Sequence, residues 1–131
     1  MLHLDDRVWI LWALWILLIP APWLLGAVAA ACVHELCHIG AVCFFSGKVH
    51  GIAIGPFGAK IHAEGISGIQ EAICALAGPT GSFLCVGLIR IFPVFSLCAL
   101  VQGLFNLLPV YPMDGGRTLS CLITAYRRKK P

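Results

Sequence analysis

The feature that most restricts what this chain can fold into is a series of long apolar segments with almost no charged residues. Four such segments can be drawn, at residues 8–19, 23–45, 69–92 and 94–126, and the last is interrupted by prolines and glycines. A helix needs about 20 consecutive apolar residues to cross the hydrocarbon core of a bilayer. We therefore expect an α-helical polytopic membrane protein with about four transmembrane helices, in which residues 1–131 form a single domain.

The composition argues against a soluble domain, a nucleic-acid-binding protein and a disulfide-rich fold. Hydrophobic residues make up 60% of the chain and charged residues only 11%, whereas soluble domains carry about 25% charged residues. The net charge of +3 comes mostly from the tail "YRRKKP". Basic residues are not interleaved with aromatic ones, so we expect the lipid bilayer and no nucleic acid as a partner. The seven cysteines are odd in number and include no CxxC spacing, which argues against a disulfide framework.

The loop at residues 46–68 separates the second and third apolar segments. Its sequence "KVHGIAIGPFGAKIHAEG" alternates apolar with small or polar residues on both sides of "GPFG", which predicts a short β-hairpin at the membrane surface. With four crossings, Lys48, Lys60 and the basic tail fall on one side of the membrane and Arg90 on the other. The positive-inside rule then places this loop and both termini in the cytoplasm.

The second segment contains an unusual cluster of ionisable residues, "VHELCHIG". His34 and His38 lie four residues apart, so they share one face of a helix, and Glu35 lies one step round. This is the H-E-x-x-H pattern, in which two imidazoles hold zinc and the carboxylate takes a proton from zinc-bound water. The alternative is a pair of structural histidines bound to neighbours. Ionisable residues cost about 2.5–3.5 kcal/mol each within a span, which favours a functional site.

A zinc hydrolase site needs a third protein ligand, and the candidate is Asp114 in "NLLPVYPMDGGR". His38 lies seven residues before the end of its segment and Asp114 twelve before the end of the last one, so both lie at similar depth below the cytoplasmic surface. The prolines and glycines around Asp114 interrupt the helix, and non-helical backbone at membrane depth is tolerated only where it is buried or lines a hydrated cavity. The break therefore indicates a hydrated pocket around Asp114. The alternative is that Asp114 only caps the tail helix.

Four patches of the chain together resemble a known family. "HELCH" and "NLLPVYPMDGGR" resemble the site-2 protease family of intramembrane zinc metalloproteases (peptidase family M50), and "AGPTGS" resembles its A-G-P stretch. The hairpin piece "IGPFGAKIHAEG" is similar to the loop of the branch typified by stage IV sporulation protein FB. The patches follow the family's order and cover residues 23–126. Ala59 departs from the glycine that is usual in that branch, and Met113 from the usual leucine.

The resemblance implies an activity and a set of site residues. His34, His38 and Asp114 would ligate one zinc ion per chain, Glu35 would be the general base, and Asn106 would bind the substrate backbone or the oxyanion. The reaction would be peptide-bond hydrolysis in regulated intramembrane proteolysis, in a bacterial cell membrane and with a link to sporulation.

The resemblance also implies the kind of partner. The substrate would be a membrane protein such as a membrane-tethered transcription regulator, and regulation would come from a membrane partner. Two other functions stay open on the residues alone: a metal-binding membrane protein or transporter, and an inactive protease-like scaffold. Glu35 and the lack of internal repeat symmetry argue against a transporter, because transport does not require a carboxylate beside His34. The intact set of His34, Glu35, His38 and Asp114 argues against an inactive scaffold.

Overall fold

The structure is a computed structural model that describes the backbone of residues 2–4, 10, 13–14, 17–55 and 58–129. Most of the described chain is helical. The first predicted apolar segment, residues 8–19, lies partly outside the described residues. In chain order the elements are β1 (Leu2–Leu4), α1 (Ala21–Phe44), β2 (Lys48–Gly55), β3 (Gly58–Glu64), α2 (Gly68–Leu84), a 3₁₀ turn (Cys85–Leu88), α3 (Pro93–Asn106) and α4 (Asp114–Lys129).

Helix α1 is a continuous apolar helix with clear signals at both ends. Pro22 lies in its first turn, where the missing N–H costs nothing. At the other end Ser46 takes a positive φ of 57°, its N–H binds the Cys43 carbonyl, and the Gly47 N–H binds the Val42 carbonyl. This pair of bonds is a Schellman motif, which ends the helix and turns the chain towards β2.

The strands occupy the segment for which the sequence predicts a hairpin. Strand β2 pairs antiparallel with β3, from Lys48 opposite Glu64 to Gly55 opposite Gly58. Strand β1 pairs parallel with β2, so the sheet order is β1-β2-β3. Strand β1 was not predicted, because three residues carry too little pattern to indicate a strand. Within the described residues, β3 therefore has one edge that pairs with no other strand.

Helix α2 is the central helix of the bundle and packs against α1, α3 and α4. Its N-cap is Ser67, whose backbone N–H donates to the Gln70 side chain, as in a capping box. The helices approach closely because small residues line their contacts: a Cβ on Gly26 would lie 3.0 Å from Val94, and one on Gly103 would lie 3.1 Å from Ser82. Small residues at contacts are typical of helix packing in membranes.

Residues 107–113 separate α3 from α4, at the break that the prolines and glycines predict. The turn folds tightly over the start of α4. A Cβ on Gly115 would lie 2.2 Å from the Leu107 carbonyl oxygen, and one on Gly116 would lie 2.6 Å from the Val110 carbonyl carbon. Only glycine permits backbone to approach backbone this closely. The two glycines therefore seat the first turn of α4, and with it Asp114, against the preceding loop.

Two of the described helical segments, Ala21–Phe44 and Gly68–Leu88, are long and apolar enough to cross a membrane, and Pro93–Asn106 is apolar but shorter. The bundle exposes large apolar side chains on these helices, for example Leu25, Leu36 and Leu84. An apolar surface of this extent is expected of a protein whose solvent is lipid. The seven cysteines are free.

Candidate metal centre

The two histidines of the sequence motif lie on the buried stripe of α1. The buried residues of this helix, Gly26, Ala30, His34, His38 and Val42, follow one another at intervals of four, the spacing that keeps side chains on one face. His34 is 1% exposed and His38 is 6% exposed. Burial of two imidazoles in a bundle of this composition requires polar partners.

Asp114 reaches the histidines from the other end of the chain. It is the first residue of α4 and is 7% exposed. Its Oδ2 lies 3.0 Å from Nε2 of His34 and 3.1 Å from Nε2 of His38, and the two Nε2 atoms are 3.2 Å apart. Three potential ligand atoms from two distant segments thus form a nearly equilateral triangle.

The triangle has the size that a zinc ion requires. In a tetrahedral site with bonds of about 2.0–2.1 Å, ligand atoms lie about 3.3–3.4 Å from one another, and the observed edges are only slightly shorter. Two imidazoles and one carboxylate are also a donor set found in zinc hydrolases. In the described part of the chain, these three residues are the one group of histidine, cysteine and acidic side chains placed to hold a metal ion.

The other ring nitrogens indicate which atoms face the metal. Nδ1 of His38 lies 2.7 Å from the Cys74 carbonyl oxygen, which can only accept, so Nδ1 must carry the proton. In the neutral ring Nε2 is then a bare lone pair, and it faces a carboxylate oxygen. Nδ1 of His34 lies 2.9 Å from the Ser82 hydroxyl. Lone pairs that converge in this way repel one another unless a proton or a metal cation lies between them, and the arrangement suits a metal cation.

Space for that cation comes from Gly78. A Cβ at this position would lie 2.2 Å from Nε2 of His38 and 2.7 Å from Nε2 of His34. The missing side chain therefore faces the triangle, and any other residue would fill the volume beside the ligand atoms. The residues present fit a bound zinc ion.

The remaining predicted site residues, Glu35 and Asn106, are not part of the triangle. Glu35 follows His34 on α1 and is half-buried. Asn106 is the last residue of α3, is also half-buried, and its amide makes no hydrogen bond within the described part of the chain. The roles of both stay predictions. Sequence reasoning missed Cys74, Gly78 and Ser82, although the last two lie in the quoted A-G-P stretch.

Comparisons with known proteins identify one matching family and two similar proteins. The family model of peptidase family M50 matches residues 63–131. This range includes Asp114 and helix α2 but not His34 or His38. Stage IV sporulation protein FB of Bacillus subtilis is 28% identical over 137 residues, covering 94% of this chain and 48% of that protein. A zinc metalloprotease of Methanocaldococcus jannaschii is 30% identical over 107 residues, covering 70% of this chain and 31% of that protein. This chain thus spans half or less of the length of these relatives.

A solved structure shares the fold. The site-2 protease from Methanocaldococcus jannaschii superposes with a TM-score of 0.79, at 24% sequence identity, over 98% of this chain and 68% of that one. The likeness covers nearly the whole chain, so the two proteins share their overall fold.

Proposed function

We propose that this chain, which belongs to peptidase family M50, is an intramembrane zinc metalloprotease that hydrolyses peptide bonds of membrane-associated proteins. The observation that carries the proposal is the triangle of His34, His38 and Asp114, whose edges of 3.0–3.2 Å suit one zinc ion. The family membership and the similarity to a zinc metalloprotease support the same conclusion. One ion per chain is expected, because the triangle offers one set of ligands.

The roles of the residues follow from their placement on α1. A zinc ion held by the three ligands would polarise the scissile carbonyl and activate water for attack. Glu35 lies about 100° round the helix from His34, and we assign it the general base that takes a proton from the attacking water and delivers it to the leaving amine. Asn106 would bind the substrate backbone near the site.

The proposed topology has four crossings with both termini in the cytoplasm, in a bacterial cell membrane. It is supported by the two long apolar segments, Ala21–Phe44 and Gly68–Leu88, and by the excess of Lys and Arg on one side. Strands β2 and β3 would then lie at the cytoplasmic face, between the first and second of these segments. Zinc ligands on α1 and α4 would lie within the bilayer, a few residues below that face.

The substrate must be extended at the site, because a helix hides its carbonyl groups. The edge of β3 that pairs with no other strand among the described residues offers main-chain groups with which an extended segment can pair, as in recognition by strand addition. We propose a membrane-tethered transcription regulator as the kind of substrate and a second membrane protein as the regulator. The similarity to stage IV sporulation protein FB supports a sporulation-type setting.

The test compares four proteins purified in detergent: the parent, His34→Ala, Asp114→Ala and Glu35→Gln. We expect about one zinc per chain in the parent and in Glu35→Gln, and a marked loss in the other two. Cleavage of a membrane-tethered test substrate should occur only with the parent. A parent that holds no zinc after metal addition would refute the site, and a Glu35→Gln variant that cleaves normally would refute the assigned base.

A further inference from the structure

Helix α2 presents a regular stripe to the proposed ligands. Cys74, Gly78 and Ser82 follow one another at intervals of four, so they lie one above another on one face. The Cys74 carbonyl lies 2.7 Å from Nδ1 of His38, and the Ser82 hydroxyl lies 2.9 Å from Nδ1 of His34. Gly78, between them, faces the Nε2 atoms of both rings. One helix that supplies none of the ligands thus contacts both histidines at Nδ1 and leaves space beside both Nε2 atoms.

We propose that this stripe is the support that tunes the metal centre: Ser82 is a positioning residue that orients His34 for zinc, and Gly78 keeps the volume of the ion open. The inference rests on the zinc site proposed above, and it goes beyond that site by assigning roles to residues that do not bind the metal.

The burial of Ser82 explains why it acts on His34. Its side chain is 1% exposed, and a buried hydroxyl without a partner is costly. If Nδ1–H of His34 donates to the Ser82 oxygen, Nε2 of that ring is left as the lone pair that faces Asp114. A ligating histidine generally binds such a partner through its other nitrogen, and loss of the partner lowers metal affinity about 10–100-fold.

Gly78 acts through space rather than through a hydrogen bond. A methyl group at this position would lie 2.2 Å and 2.7 Å from the Nε2 atoms of His38 and His34, well inside contact distance. The rings cannot rotate away, since their Nδ1 atoms are held by the Cys74 carbonyl and the Ser82 hydroxyl. The added methyl group must therefore either break those hydrogen bonds or fill the space beside the three ligand atoms that an ion would occupy.

The chain provides a matched control for each residue. Ser96 is also a fully buried serine, 0% exposed, but its hydroxyl donates to the Cys85 carbonyl rather than to a proposed ligand. Gly81 is also pressed against α1, where a Cβ would lie 2.2 Å from the Cys37 sulfur. Each control changes packing within the same bundle without touching the proposed ligands.

The experiment measures zinc affinity by chelator competition and the melting temperature of the metal-free protein. Ser82→Ala should weaken zinc binding about 10–100-fold, whereas Ser96→Ala should bind like the parent. Gly78→Ala should lose zinc as fully as His34→Ala does, whereas Gly81→Ala should retain it. A merely structural role would lower the metal-free melting temperature equally in each pair and leave zinc affinity unchanged.

The outcomes separate this inference from the proposed function. A parent that binds one zinc, together with Ser82→Ala and Gly78→Ala variants that match their controls in zinc affinity, would overturn the support role and leave the metalloprotease proposal standing. A parent without zinc would overturn both. Should one variant of a pair fail to fold, the other pair tests the same support independently.

Discussion

Gly115→Ala is expected to damage the site without changing any residue that binds the metal. A Cβ at position 115 would lie 2.2 Å from the Leu107 carbonyl oxygen and 2.7 Å from that of Leu108. Both atoms belong to the backbone, so no side-chain rotation relieves the overlap. The contact must lengthen to at least 3.0 Å, so the first turn of α4 has to shift by about 0.8 Å, a displacement that such sites tolerate poorly.

That shift moves Asp114, which directly precedes Gly115. Its Oδ2 now lies 3.0 Å and 3.1 Å from the two histidines, and a misplacement of this size typically costs on the order of 10²-fold in rate. We expect cleavage to fall by about that factor and zinc affinity to fall with it. Zinc competition and initial cleavage rates measure the two effects.

Gly40→Ala is the control for this substitution. Gly40 lies within α1, and a Cβ there meets nothing within 4 Å, so the change should stabilise the helix by up to about 1 kcal/mol and leave both assays unchanged. Parental zinc affinity and cleavage in Gly115→Ala would refute the argument that close backbone packing positions Asp114.

Three further predictions follow from other parts of the structure. Ser46→Gly should raise the free energy of unfolding by about 1 kcal/mol, because Ser46 holds a φ of 57° that glycine adopts without strain. Ser120→Gly, inside α4, is the control and should lower the free energy of unfolding. Thermal or denaturant unfolding in detergent measures both variants, and a lower stability of Ser46→Gly would contradict the assignment of the cap. Zinc added to metal-free parent should raise the melting temperature, in line with about 2.7 kcal/mol at 100 times Kd, and Asp114→Ala should show no such response; an equal shift in both proteins would place the ion elsewhere. Ala59→Pro should reduce cleavage of the test substrate while zinc content is kept, because proline removes a main-chain donor from β3; unchanged cleavage would argue against strand addition.

The chemistry of the site was accessible from local sequence patterns. The spacing of His34 and His38 determines that they share a face of any helix they form, and the prolines and glycines of "PVYPMDGG" indicated that the helix is interrupted at Asp114. The predicted family is confirmed by the match to peptidase family M50. The predicted meeting of Asp114 with the histidines rested on a coarse depth argument, and in the structure the three side chains do lie together.

The support of the site was not accessible in the same way. The residues Cys74, Gly78 and Ser82 are small and ordinary in an apolar helix, and their partners lie 36 to 48 positions away. Which face of α2 meets α1 depends on how the whole bundle packs. The same holds for β1, whose three residues pair in parallel with β2 across about fifty residues of chain.

By itself the sequence determined the environment and the reactive groups: apolar segments long enough for a membrane, a two-histidine face with a neighbouring carboxylate, and a helix break at an aspartate. These features depend on composition and on periods of a few residues, which are local. Only the tertiary structure decided that the three ligand atoms converge to within 3.2 Å and that a glycine leaves the space beside them. The physical reason is that such distances are set by packing between helices, where one methyl group more or less decides whether an ion fits.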